Sequence, residues 1–197
     1  AYFKDGEWRE SYLGLSDPEK GLKTESGLVY DLASVSKVVG VGTVLTFLWQ
    51  QGKLDIDRPV TDFLSECDYP DITIRQLLTH ATDLDPFIPN RDQLSSEELR
   101  EAMFYLNRRS QTAFLYSDVH FLLLGFLLEK IFEQDLNQII EEQVLEPWGM
   151  KETMFGPVEF AVPTVRGVEA GGIHDPKARL LGKHAGSAGL FSTVKDL

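Results

Sequence analysis

Ser34 and Lys37 are the pair in this chain whose types and spacing could do nucleophilic chemistry. They lie in Asp31-Leu32-Ala33-Ser34-Val35-Ser36-Lys37-Val38-Val39-Gly40, where a polar opening gives way to an apolar segment running to Trp49. A helix that starts at Ala33 or Ser34 places Lys37 one turn on, and residues three apart share a helix face. The Lys37 amine can then reach the Ser34 hydroxyl. A helix N-terminus carries unpaired N–H groups and a partial positive charge. That field favours an oxyanion developing on Ser34 and disfavours a further positive charge beside it. A serine next to a deprotonated amine is an activated nucleophile.

Spacing alone says little, because Ser-x-x-Lys arises by chance about once in a chain of this length and ordinary composition. Ser192-Thr193-Val194-Lys195 repeats it. What sets Ser34 apart is the run Val38, Val39, Val41, Val44, Leu45, Phe47, Leu48 and Trp49, apolar nearly all round. Such a pattern predicts a helix buried in the domain centre, with serine and lysine at its mouth. The plainer alternative makes Ser34 an N-cap and Lys37 a solvated first-turn lysine.

Tyr116-Ser117-Asp118 is the second group that could do chemistry. It immediately precedes another apolar segment, residues 119–132, where a loop projects side chains into a cleft. A tyrosine beside a lysine serves as a general base, and Asp118 could accept a hydrogen bond from Lys37 or from substrate. The alternative is a packed aromatic and a helix N-cap at Asp118. His80, His120, His174 and His184 form no metal-ligand spacing. His80 and His120 sit beside apolar helices and read as hydrogen-bonded structural residues. No Gly-x-Ser-x-Gly elbow supports a Ser-His-Asp triad. Glu141, Glu142 and Glu146 read as a solvated helix face, and His184-Ala185-Gly186 as a candidate substrate-binding strand.

The elements that must position these groups follow from the rest of the chain. Its 197 residues, 43% hydrophobic, support a real core. A net charge of -12 repels phosphate backbones, so nucleic acid is not an expected partner. Cys67 is the single cysteine, which excludes an internal disulfide and fits a reducing compartment without fixing one. The longest apolar run, residues 121–128, is too short to span a bilayer.

Residues 2–8 read as a hairpin turning at Asp5-Gly6, with residues 8–15 as the returning strand. The opening strand is so short that sequence is expected to precede Ala1. Residues 16–21 read as a loop. The Ser34 helix stops at Gln51-Gly52. A turn then leads to a short helical piece at residues 60–64. Thr73-Ile74-Arg75-Gln76 is a capping box, and Ser95-Ser96-Glu97-Glu98 caps another helix. Residues 83–92 and 108–113 read as loops. Asp135 caps an amphipathic helix carrying Leu136, Ile139, Ile140, Val144 and Leu145. Residues 151–189 are rich in glycine and proline with no long periodic run. Leu190-Phe191 reads as a strand, and Thr193 with Asp196 as the capping box of a further helix.

With these residues in view the chain resembles the serine β-lactamase-like family, in the branch of class C β-lactamases, D-alanyl-D-alanine carboxypeptidases and related esterases. Leu32-Ala33-Ser34-Val35-Ser36-Lys37 resembles its nucleophile motif and Tyr116-Ser117-Asp118 its Tyr-x-Asn motif. Residues 52–60, Thr73-Ile74-Arg75-Gln76-Leu77-Leu78-Thr79-His80, Glu146-Pro147-Trp148-Gly149-Met150 and Ala188-Gly189-Leu190-Phe191-Ser192-Thr193 match in family order. Three departures stand out. Asp118 takes the place of asparagine, Thr82-Asp83 replaces Ser-Gly, and the Lys-Thr-Gly or His-x-Gly strand of the family lies beyond residue 193. By that order His184-Ala185-Gly186 is a look-alike, and the chain is expected to lack the third motif.

The resemblance implies an α+β fold, with an antiparallel sheet flanked by helices. Residues 1–53 would hold the first strands and the nucleophile helix, residues 54–150 a helical region, and residues 151–197 a loop-rich return to an incomplete sheet. It implies acyl transfer: Ser34 as nucleophile, Lys37 and Tyr116 sharing the base role, and Asp118 binding substrate. The Ser34 N–H would supply half of the oxyanion hole. No metal or cofactor is implied. The partner would be a small-molecule or peptidoglycan-like substrate bearing an ester, amide or β-lactam carbonyl. The rival expectation is a penicillin- or peptidoglycan-binding module that kept the pocket without turnover.

Overall fold

The computed structural model describes residues 1–111, 114–164 and 168–197. Thr112 and Ala113, at the end of the expected 108–113 loop, and residues 165–167 of the glycine- and proline-rich stretch lie outside the described residues.

β1 (Tyr2–Lys4) and β2 (Glu7–Arg9) pair antiparallel, with Phe3 opposite Trp8. Asp5 at φ 55° and Gly6 at φ 83° supply the two left-handed residues of a tight hairpin turn. Every residue of both strands is exposed, so the returning strand ends at Arg9 rather than continuing to Leu15. A ribbon with no face to bury gains nothing by lengthening. β3 (Leu15–Asp17) and β4 (Leu22–Lys23) make a second hairpin where a loop was expected. Asp17 folds its turn by accepting from the Glu19 and Lys20 amides at 3.1 and 3.2 Å.

The sheet that matters for the site is β5 (Tyr30–Asp31), β6 (Met154–Phe155) and β7 (Leu190–Ser192), antiparallel with β7 in the middle. Tyr30 lies opposite Ser192 and Phe155 opposite Leu190. β7 is fully buried, as a central strand must be. The turn after it differs from the expectation. Thr193 donates to Glu152, and Asp196 takes the Glu152 amide at 2.7 Å and the Thr153 hydroxyl at 2.9 Å. Both side chains thus bond across to another segment, the capping box does not form, and residues 194–196 make a turn.

α1 (Val35–Lys37), a π-helical turn at Val38–Gly42 and α2 (Thr43–Gln50) run as one continuous segment ending at Gly52, φ 67°. Val41, Val44 and Leu45 are buried, but Val35, Val38 and Trp49 are 51%, 68% and 50% exposed. The expectation of a helix buried all round is therefore corrected: this helix buries one face only.

α3 (Ile74–Leu78) and α4 (Ser96–Ala102) start with reciprocal capping boxes, Thr73 with Gln76 and Ser95 with Glu98. The element buried on all sides is α5 (Asp118–Phe132), in which Val119 through Leu128 are all buried. It packs against α3, the π turn at Val38–Gly42 and α6 (Leu136–Ile140). α6 continues through a π turn at Glu141–Leu145 into α7 (Glu146–Trp148), which Gly149 ends at φ 69°. α8 (Pro176–Leu181) is unexpected, lying in the glycine- and proline-rich stretch. Asp175 caps it by accepting from the Ala178 amide at 2.7 Å, and Pro176 opens it. Among the described residues no helix is long and apolar enough to cross a membrane.

Candidate active site

The nucleophile turn is built at the edge between sheet and helix. β5 runs beside β7, and the Leu32 amide donates to the Leu190 carbonyl at 2.9 Å. Ala33 then adopts φ 44°, a left-handed conformation that costs a non-glycine residue roughly 1–2 kcal/mol. Asp31 Oδ1 holds it there by accepting the Ala33 amide at 2.7 Å. The chain swings from strand into α1, with Ser34 at the N-cap position. Its side chain makes no capping bond, and the residue is exposed. Among the described residues no acceptor takes the Ser34 amide.

Lys37 lies one turn later and is 2% exposed. Its Nζ donates to Ser34 Oγ at 2.8 Å, to Asp118 Oδ1 at 2.8 Å and to the Ser187 carbonyl at 2.9 Å. The solvated first-turn lysine of the plainer alternative is not what the structure holds. Ser117, not Asp118, caps α5, its Oγ accepting from the Val119 amide at 3.2 Å. That leaves the Asp118 carboxylate to face the lysine.

Tyr116 reaches the site by its ring. The Lys37 Nζ lies 5.2 Å from the ring centroid, within cation–π range. The Tyr116 hydroxyl makes no hydrogen bond to Ser34 or Lys37, and the residue is 52% exposed. His80 explains the pose. Its carbonyl accepts the Leu115 amide at 2.9 Å and its ring lies 4.7 Å from that of Tyr116. The Ser117 amide points at His80 Nδ1 at 3.4 Å, so that nitrogen is the acceptor. The proton of the 2.8 Å His80–His120 contact then belongs to His120 Nδ1. His120 Nε2 in turn accepts from the Thr82 hydroxyl at 2.8 Å. Burial, aided by His80 and Arg109, lowers the His120 pKa to about 4. Burial and then Lys37 lower that of His80. The pair is a neutral strut beneath the tyrosine loop, the structural role expected from the sequence.

Three comparisons relate this chain to known proteins. The Beta-lactamase family model matches residues 1–197. The chain belongs to the beta-lactamase family. It is 28% identical to a protein of Escherichia coli (strain K12) named "Putative D-alanyl-D-alanine carboxypeptidase", over 95% of this chain and 53% of that one. It thus spans about half the length of the curated relatives it matches. The D-amino acid amidase of Ochrobactrum anthropi SV3 superposes with a TM-score of 0.70 at 19% identity, over 93% of this chain and 58% of that one. The class C beta lactamase of Rhodobacter sphaeroides gives 0.69 at 20% identity, over 93% and 53%. The fold is the α+β β-lactamase-like one, with a partial sheet. Membership makes the chain one of a family of serine hydrolases.

Within that family frame, the sequence missed two contributors. One is Ser187, whose carbonyl is the third acceptor on Lys37. Its hydroxyl is buried with no hydrogen-bond partner among the described residues. The other is Lys177 on α8, which pairs with Asp118 Oδ2 at 3.0 Å. A backbone acceptor leaves no mark on side-chain patterns, and α8 had no periodic signal. Lys177 also borders a cleft of about 450 Å³ formed with Pro86, Phe87, Asn90, Arg91 and Gln93. His184-Ala185-Gly186 is no substrate strand: His184 ends a 3₁₀ turn with its ring on Glu129, and Gly186 packs against α5. Glu129, Asp135 and His184 come close enough to suggest a cation site. Arg100 on Glu129 at 2.7 Å and Lys183 on Asp135 already supply that charge, so the cluster reads as an ion-pair network.

Proposed function

We propose that Ser34 is the nucleophile of a serine hydrolase site that forms an acyl-enzyme on an ester, amide or β-lactam carbonyl. The triple contact at Lys37 Nζ supports this reading above all else. An ammonium has three N–H donors, and three acceptors surround this one. When one proton leaves, the two remaining N–H groups stay on Asp118 and Ser187 while the lone pair faces Ser34 Oγ. Lys37 then receives the hydroxyl proton as Ser34 attacks.

The unengaged Ser34 amide supplies an oxyanion donor. Tyr116, with its ring against Lys37 and its hydroxyl engaged by none of the described residues, relays the proton to the leaving group once substrate is seated. Asp118 orients Lys37 and the substrate. Water releases the acyl group. Because two of the three proteins compared above are named a putative D-alanyl-D-alanine carboxypeptidase and a D-amino acid amidase, a D-amino-acid amide or peptidoglycan-like peptide is the first substrate class to test, with a β-lactam, as for the class C beta lactamase, the next.

Labelling by a fluorescent penicillin or a fluorophosphonate tests the assignment. The wild-type protein takes the label, Ser34→Ala abolishes it with the fold intact, and Ser192→Ala leaves it. The reverse pattern at those two serines overturns it. A panel of ester, D-amino-acid amide and β-lactam substrates then names the class. A second reading, a binding module acylated without turnover, is favoured by one observation: the Tyr116 hydroxyl lies unbonded to Ser34. Stoichiometric label with no turnover on any substrate of the panel would select it.

A further inference from the structure

Lys177 stands out among the charged groups that the acyl-transfer reading leaves without a task. Asp118 is held between two ammonium groups, Oδ1 on Lys37 at 2.8 Å and Oδ2 on Lys177 at 3.0 Å. All three side chains are largely shielded, at 3% exposure for Lys37, 25% for Asp118 and 14% for Lys177. We propose that Lys177 is a positioning residue of the Ser34 site, whose ammonium supplies the counter-charge that lets an aspartate stand beside the base Lys37. The inference rests on Ser34 and Lys37 acting as nucleophile and base.

The effect of Lys177 is one of charge. A carboxylate at 2.8 Å from an amine that must lose its proton works against that loss, because it favours the charged form. Were Asp118 paired with Lys37 alone, deprotonation would leave a lone, mostly shielded anion. With Lys177 in place, the same step leaves a neutral Asp118–Lys177 pair, and the second cation opposes the proton on Lys37. Burial pushes the Asp118 carboxyl up, but Lys37 and Lys177 together hold it below the usual carboxylate range, so it stays ionised throughout.

Lys177 is placed by construction rather than by chance. Pro176 and the Asp175 cap fix the start of α8. The His174 amide donates to Asp31 Oδ2 at 2.9 Å, while Oδ1 of the same carboxylate holds the Ala33 amide. One side chain thus ties the turn that presents Ser34 to the segment that presents Lys177. The other groups facing this set are Asp175, 3.9 Å from Lys177, and His80 and Tyr116 beside Lys37. Arg91 and Asp92 line the cleft beyond Lys177 and are paired with each other.

The test is the rate of Ser34 labelling by a neutral fluorophosphonate, measured from about pH 5 to 9. Lys177→Met should move the acid limb of that profile to higher pH, slowing labelling at a fixed pH on that limb by about tenfold, the effect of one neighbouring charge. Lys177→Arg should restore the wild-type profile. Asp118→Asn in the Lys177→Met background should return the acid limb to its wild-type position, at a lower absolute rate where the lysine is less well oriented, because an amide needs no counter-charge. A purely structural role for Lys177 predicts no such rescue. A profile unmoved by Lys177→Met overturns the inference and leaves Ser34 as nucleophile. So does a limb that shifts only in His80→Gln. A rise in KM confined to carboxylate-bearing substrates, with the limb unmoved, would make Lys177 a substrate contact instead. Failure of wild-type protein to label at all would overturn the hydrolase reading and this inference with it.

Discussion

The Leu190 amide donates to Ser36 Oγ at 3.1 Å, joining residues 154 positions apart. Ser36 sits inside the Ser-x-x-Lys motif, yet its side chain turns away from the chemistry and into the sheet. Both residues are buried, at 4% and 0% exposure. With the Leu32–Leu190 bond, this contact seats the nucleophile turn on the central strand.

Ser36→Ala leaves the Leu190 amide buried without a partner, a loss of about 1–3 kcal/mol. The variant should show a lower urea midpoint with an unchanged slope. Ser34 should still label, more slowly where the turn has loosened. A variant as stable as wild type would mean that β7 alone positions the turn.

Much of this arrangement was legible in the sequence, and the rest was not for identifiable reasons. Short-range signals held: Thr73 with Gln76, Ser95 with Glu98, the Asp5-Gly6 turn and the Gly52 stop are all set by contacts within four residues. Ser34 with Lys37 was readable for the same reason. Asp118 meeting Lys37 spans 81 residues, and it was expected only because a loop before an apolar helix projects into a cleft. The Thr193–Asp196 box failed because both side chains found tertiary partners at Glu152 and Thr153. Lys177 and the Ser187 carbonyl were invisible: one sits on a six-residue helix without periodicity, the other is backbone.

Tyr116→Phe separates chemistry from packing. Among the described residues the hydroxyl has no hydrogen-bond partner, so its removal should change stability by no more than about 0.5 kcal/mol. The ring contacts with His80 and Lys37 remain. If the hydroxyl carries the leaving-group proton, kcat should fall by about 10²-fold or more. Thermal melts beside steady-state ester hydrolysis check both halves. Unchanged kcat would leave Lys37 as sole base.

His120 makes stability depend on pH. Its pKa is about 4 when folded against an ordinary value of 6.5, so the unfolded chain binds more protons between those limits. The contribution is fully present above pH 6.5 and is lost as pH falls through about 4. Asn at this position cannot titrate. The difference in unfolding free energy between wild type and His120→Asn should therefore narrow as pH drops through that window. A constant difference would mean that the neutral strut carries no such linkage.

Gly186 shows how closely the base is packed. A Cβ built there would sit 2.3 Å from the Phe121 carbonyl oxygen and 3.0 Å from a Val41 methyl. The first obstacle is backbone in the first turn of the buried helix α5 and cannot rotate away. Ser187 follows directly, and its carbonyl is 2.9 Å from Lys37 Nζ. Gly186→Ala should therefore cost at least the roughly 1–3 kcal/mol of an overpacked core. It should also pull the Ser187 carbonyl off the lysine, slowing Ser34 labelling beyond what lost stability explains. Gly125→Ala is the informative contrast. Its Cβ meets a Leu136 methyl at 2.8 Å, the end of a side chain that can move, and the Gly186 backbone at 3.3 Å. Chemical denaturation and labelling of both variants, run below either midpoint, should show Gly186→Ala losing rate more steeply than stability, and Gly125→Ala losing the two together. Equal labelling by folded Gly186→Ala and wild-type protein would show that the Ser187 carbonyl does not position the base.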